Sequence, residues 1–136
     1  MVEKFGVEKI KTVGDAYMVV SGLPRERNDH AQVLINVAQR FRVIASEYED
    51  HEGNPIELRI GINSGPAVSG VIGKSKFAFD VWGDTINTAA RLESYGMPGK
   101  LHLSETTFNS LKEKPDVPIV REIEMKGKGL MKTYLI

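Results

Sequence analysis

The chain has no cysteine among its 136 residues, which excludes disulfides and thiolate metal ligands and leaves the redox compartment open. It has no apolar run near the ~20 residues that a membrane span requires, and no secretory leader pattern at its start. It also lacks net charge. Eighteen basic and eighteen acidic side chains cancel, so no global field favours nucleic acid or anionic lipid. Low-complexity linkers and internal repeats are absent too. What remains is ordinary globular usage, 41% hydrophobic and 26% charged, in a length that suits one core rather than two. The expected compartment is the cytoplasm, with no nucleic-acid partner and no membrane contact by this segment; a longer parent could still carry an anchor.

The pattern alternates strands and helices. Residues 8–13 and 16–22 are β-branched or apolar runs flanking Gly14-Asp15, which predicts a hairpin. Residues 29–50 read as the clearest helix. Leu34, Val37, Ala38, Phe41, Ile44, Ala45 and Tyr48 recur at helical spacing, with Asn28 or Asp29 as cap and His51-Glu-Gly-Asn-Pro55 as terminator. Residues 56–63 and 66–72 are expected to be two strands around Ser64-Gly65. A helix over 84–95 stops at Gly96, residues 100–103 suggest a short strand, and Ser104 caps a helix over 105–113. Residues 118–125 and 131–136 make a final strand pair. The whole predicts an α+β sandwich, with helices against a mostly antiparallel sheet.

The most informative stretch is residues 76–91, Lys-Phe-Ala-Phe-Asp-Val-Trp-Gly-Asp-Thr-Ile-Asn-Thr-Ala-Ala-Arg. It reads as a strand ending near Asp80, a turn at Gly83, and a helix capped by Asp84 or Thr85. Asn87 and Arg91 lie four apart and so share one helical face. An acid at a strand end, with an amide and a guanidinium on one stripe, suits a polar, phosphate-bearing ligand. Taken alone, the same residues also fit a solvated helix face.

Residues 76–91 resemble the class III nucleotidyl cyclase catalytic domain, and three further stretches extend the likeness over nearly the whole chain. Glu8-Lys-Ile-Lys-Thr-Val-Gly-Asp-Ala-Tyr-Met-Val-Val-Ser-Gly-Leu-Pro24 is similar to the family's metal-carrying hairpin. Leu58-Arg-Ile-Gly-Ile-Asn-Ser-Gly-Pro-Ala-Val-Ser-Gly-Val-Ile-Gly73 is similar to its central strand pair. Met125-Lys-Gly-Lys-Gly-Leu-Met-Lys-Thr-Tyr134 is similar to its closing segment. The resemblance implies a ferredoxin-like cyclase sandwich spanning residues 1–136. It also implies an earlier strand with a Phe-x-Asp-Ile-x-Gly-Phe-Thr-like motif and two helices. That part is not in this sequence, so the chain is expected to be truncated at its N-terminus and to lack one of two metal-binding aspartates.

The resemblance assigns roles residue by residue. Cyclisation of a nucleoside triphosphate aims the 3′ hydroxyl at the α-phosphorus, usually with two Mg²⁺ or Mn²⁺ ions neutralising charge. Asp15 is the implied metal ligand, against the plain alternative that Gly-Asp is a turn dipeptide. Arg91 would neutralise the α-phosphate in the transition state, and Asn87 would orient the ribose. Lys126 aligns with the family's triphosphate-binding lysine; Lys128 shares its Gly-punctuated segment, and a surface lysine pair is the alternative. Lys11 and Asp80 stand at the base-reading positions. A carboxylate accepting from the adenine N6 amino group, with a lysine donating to N1, suits ATP rather than GTP. Pro66 stands where some relatives place an arginine.

The family's site forms between two chains. Carrying both Asp15 and the Lys11, Asp80, Asn87, Arg91 and Lys126 set suits a homodimer. These residues together favour an adenylate cyclase catalytic domain using ATP. Its rivals are a non-catalytic cyclase-like dimerising or regulatory domain and a diguanylate-cyclase-like or polymerase-palm relative. The Trp82-Gly-Asp-Thr-x-Asn-x-x-x-Arg91 pattern argues against the last.

Overall fold

In the computed structural model, which describes residues 2–136, eight strands and three α-helices follow a short 3₁₀ turn at Val2–Phe5. A hairpin comes first: β1, Glu8–Val13, pairs antiparallel with β2, Ala16–Val20, around Gly14, whose φ of 61° favours glycine. Helix α1 covers His30–Ser46. Strands β3 (Ile60–Ile62), β4 (Val68–Ile72) and β5 (Ala78–Trp82) lead into α2, Asp84–Ser94. Then come β6 (Leu101–Ser104), α3 (Glu105–Asn109), β7 (Ile119–Met125) and β8 (Gly129–Leu135). No described helix is long and apolar enough to cross a membrane.

The sheet is in three pieces. A four-stranded sheet has the order β3-β6-β8-β7, and β1-β2 and β4-β5 are separate antiparallel hairpins. This corrects one expectation. The strands flanking Ser64-Gly65 do not pair with each other: β3 runs parallel to β6, while β4 pairs with β5, placing Gly70 opposite Asp80. The other pairings are antiparallel, as expected.

Side-chain alternation sorts the four-stranded sheet into two faces. Ile62, Leu101, Leu103 and Tyr134 meet Ala31, Ile35 and Ala38 of α1, with Phe108 and Leu111 beside them. Phe108 stacks on Tyr134 at 3.9 Å between centroids. The opposite face holds α2 through Leu92, Ile123 and Met125. Gly61 points that way, and a Cβ there would lie 2.2 Å from the Glu93 nitrogen and 2.4 Å from the Ala89 oxygen. Only glycine lets β3 and α2 approach so closely.

Helix α1 is apolar over a wider arc than its predicted stripe. Ala31, Ile35 and Ala38 face the sheet, while Val33 and Val37 face Val7, Val19 and Phe5; Leu34 touches both groups. Tyr48, predicted on the apolar stripe, lies beyond the helix and is exposed. Asp29 occupies the cap position without capping. Its carboxylate accepts from Arg27 Nε at 2.7 Å and Nη2 at 3.0 Å instead. Ser104 caps α3 as expected, accepting from the Thr107 amide at 3.2 Å.

Candidate active site

Asp80 is the centre of the arrangement. It does not end its strand, as the apolar run Phe77-Ala-Phe79 suggested, but lies in the middle of β5, with the buried Val81 and then Trp82 still to come. Lys11, on β1 and 69 residues away in sequence, donates from Nζ to Asp80 Oδ2 at 3.0 Å. The Val81 amide donates to Oδ1 at 2.8 Å. The Lys11 hydrogen bond, seconded by that amide, holds the Asp80 carboxyl below the usual carboxylate range. Asp80 is largely covered and Lys11 half-exposed, so the pair opens to solvent from the lysine side.

From β5 the chain turns at Gly83, whose φ of 129° belongs to glycine, and enters α2. Gly83, rather than Asp84 or Thr85, occupies the cap position, and no side chain caps the helix. The start of α2 is tied to the loop after β3: Asn63 Nδ2 donates to the Thr85 carbonyl at 3.1 Å, and Thr85 Oγ1 donates to the Pro66 carbonyl at 2.5 Å.

Asn87 and Arg91 share one side of α2, as their spacing predicts. Asn87 is exposed and Arg91 half-buried. Arg91 Nη1 donates to the Lys126 carbonyl at 2.6 Å, which brings the β7–β8 turn against the helix. The two lysines of that turn behave differently. Lys128 pairs with the Asp84 carboxylate, while Lys126 presents an exposed ammonium with no partner among the described residues. The Asp84–Lys128 pair was not foreseen; a contact across 44 residues leaves no local mark in a sequence.

Asp15 stands apart, exposed in the β1–β2 turn. Among the described residues no three His, Asp or Glu side chains group closely enough to hold a metal ion. A carboxylate suits Mg²⁺ or Mn²⁺, but the described residues alone do not make a complete cation cage.

A second missed feature lies beneath α2. His102, fully buried on β6, makes 2.7 Å contacts from Nδ1 to the Leu92 carbonyl and from Nε2 to Thr133 Oγ1. A polar residue inside the all-buried run Leu-His-Leu-Ser was the available signal.

Known proteins share this architecture. The family described as "Adenylate and Guanylate cyclase catalytic domain" matches residues 1–136. An adenylate cyclase of Mycobacterium bovis is 43% identical over all of this chain, which spans 31% of that relative's length. The guanylate cyclase soluble subunit beta-2 of Rattus norvegicus is 47% identical over 96% of this chain and 19% of its own length. Among solved structures, the catalytic core of a rhodopsin-guanylyl cyclase with converted specificity, in complex with ATPαS, superposes with a TM-score of 0.88. The two are 40% identical, and the match covers 98% of this chain and 73% of that one.

Proposed function

This chain belongs to the adenylate and guanylate cyclase catalytic-domain family, and from that premise we propose that it is the adenylate-type core of a cyclase that converts ATP into 3′,5′-cyclic AMP and pyrophosphate. Relatives of similar identity carry both adenylate and guanylate names, so overall likeness does not choose the base. The observation that carries the adenylate reading is the Lys11–Asp80 contact at the mouth of α2. An ammonium and a carboxylate held side by side offer one donor and one acceptor, which match adenine N1 and the N6 amino group. Guanine presents the reverse pattern and would leave both groups facing like partners.

In the proposed reaction the 3′ oxygen bonds to the α-phosphorus as the α–β bridging bond breaks. Pyrophosphate leaves with that bond's electrons, and the proton of the 3′ hydroxyl passes to solvent water. Arg91 supplies positive charge where the α-phosphate gains negative charge, its position steadied by the Lys126 carbonyl. Asn87, one turn earlier, orients the ribose. Lys126 binds the β- and γ-phosphates already present in the ground state. Asp15 is this chain's proposed contribution to a divalent-cation site, Mg²⁺ or Mn²⁺. The described residues gather no group of three such ligands around it, and these 136 residues alone are proposed to turn over ATP poorly.

A second copy of the chain is the proposed partner. The β4–β5 hairpin exposes Val71 at 64% and Phe77 at 74%, together with Val68 and Ile72, an apolar surface suited to pairing. The test is product analysis of the intact protein given ATP or GTP. Cyclic AMP from ATP in large excess over cyclic GMP from GTP is expected. Preferred cyclic GMP would overturn the base assignment, and no product from either would favour a non-catalytic dimerising domain.

A further inference from the structure

The last turn of any α-helix leaves carbonyls without helical partners, and a buried end must find them elsewhere. In α2 the Arg91 carbonyl accepts from the Tyr95 amide at 2.9 Å and the Glu93 carbonyl from the Gly96 amide at 3.0 Å. The Leu92 carbonyl, between them, meets His102 Nδ1 at 2.7 Å. A carbonyl only accepts, so Nδ1 carries the proton. In the neutral ring Nε2 is then an acceptor, and the Thr133 hydroxyl donates to it at 2.7 Å. His102, Thr133 and Leu92 are all fully buried. Burial lowers the imidazole's affinity for a second proton, more than the Leu92 bond raises it, and the nearby Arg121 charge acts in the same direction as burial.

We propose that His102 is a positioning residue of the reaction: by capping the Leu92 carbonyl from inside the core, and being itself held by Thr133, it fixes the end of α2 and therefore Arg91. This rests on the cyclase reading of Arg91. Leu92 is clamped twice, its side chain among Ile123 and Met125 and its carbonyl on His102. Arg91 is the next residue back, and its guanidinium reaches the Lys126 carbonyl, one residue beyond Met125. The clamp and the guanidinium thus meet the same strand end. Thr133 lies on β8, which pairs with β7 beside that turn, so one ring ties the helix to the sheet that carries Lys126. A shift of about 1 Å in a charged group facing the reacting phosphate can cost on the order of 100-fold.

Two substitutions separate positioning from packing. Asn carries an amide NH₂ near the place of Nδ1 and can keep the Leu92 bond; Leu cannot. In the intact protein, H102L is expected to lower kcat roughly tenfold or more with KM for ATP little changed, and H102N to recover most of it. Hydrogen exchange gives a readout that needs no turnover. In H102L the Tyr95 and Gly96 amides should lose protection, and in H102N they should keep it. The unsubstituted protein adds a third measurement, imidazole ¹⁵N shifts, expected to report the Nδ1–H tautomer. Unchanged kcat and unchanged Tyr95 protection in H102L would overturn the proposal, as would equal losses in both variants or an Nε2–H tautomer. If the parent protein forms no cyclic nucleotide, the cyclase reading fails by itself, and amide exchange with the tautomer still decides the anchoring.

Discussion

Lys11 and Asp80 neutralise each other before any ligand arrives. On the proposed reading a base joins this pair without breaking it: the ammonium keeps donors beyond the one given to Asp80, and the carboxylate keeps free lone pairs, so an edge that both accepts and donates is matched. Lys11→Glu combined with Asp80→Ala is expected to move preference from ATP toward GTP, while either change alone mainly damages ATP use; kcat/KM ratios for the two nucleotides decide this. Unaltered selectivity in the double variant would remove both residues from base reading. Arg91 and Lys126 separate by kinetics. Arg91→Ala is expected to lower kcat by about 10²–10³-fold, by analogy with other preorganised charge stabilisers, because its charge gains most in the transition state. Lys126→Ala is expected chiefly to raise KM. Steady-state rates with a normal kcat for Arg91→Ala would return that residue to an ordinary helix face. The candidate residues could be named because they sit in long runs with local grammar: a turn glycine, then an amide and a guanidinium one helical turn apart; their roles rest on the family resemblance. His102 and the Asp84–Lys128 pair could not, since their meaning lies wholly in partners 10 to 44 residues away.

Elements were read well where the signal was local. The Gly14 hairpin, the Ser104 cap and the last strand pair all follow from neighbouring residues. Pairing between distant strands does not. β3 has three residues, and its partner β6 begins about forty positions later, so adjacency to β4 in sequence misled. The same distance hid why residue 61 must be small. Its Cβ would enter the backbone of α2, which cannot yield as a flexible side chain can. Gly61→Ala is expected to destabilise the fold by about 1–3 kcal/mol or more, the range for overpacking a rigid contact. Urea denaturation measures it, and a variant within ~0.5 kcal/mol of the parent, the scatter typical of neutral surface changes, would show that β3 and α2 can separate.

At the scale of the molecule, acid should act on the core before it acts on the surface. His102 folds with a lowered pKa, so its contribution to stability is complete above about 6.5, the ordinary imidazole value, and is lost as pH falls below it toward the folded value. Asp29 and Asp80 are lowered by Arg27 and Lys11, and their contributions fade only at more acid pH, below the usual carboxylate range near 4. Urea midpoints are expected to drop between pH 7.5 and 5.5, and H102N should flatten that drop. An unchanged midpoint would mean that the buried ring does not titrate in this window.

Helix α1 serves two groups of apolar side chains, one against the four-stranded sheet and one against the hairpin, with Leu34 in both. Neither the outer edge of β2 nor that of β3 has a strand partner among the described residues. Beyond its chain connection, the first hairpin therefore meets the rest through side-chain packing and no continuous ladder, the kind of junction at which local opening is expected. Opening at this junction would part Lys11 from Asp80 while leaving Arg91 on the Lys126 carbonyl. On the roles proposed above, such a motion would relax the choice of base, transiently and reversibly, and spare the grip on phosphate.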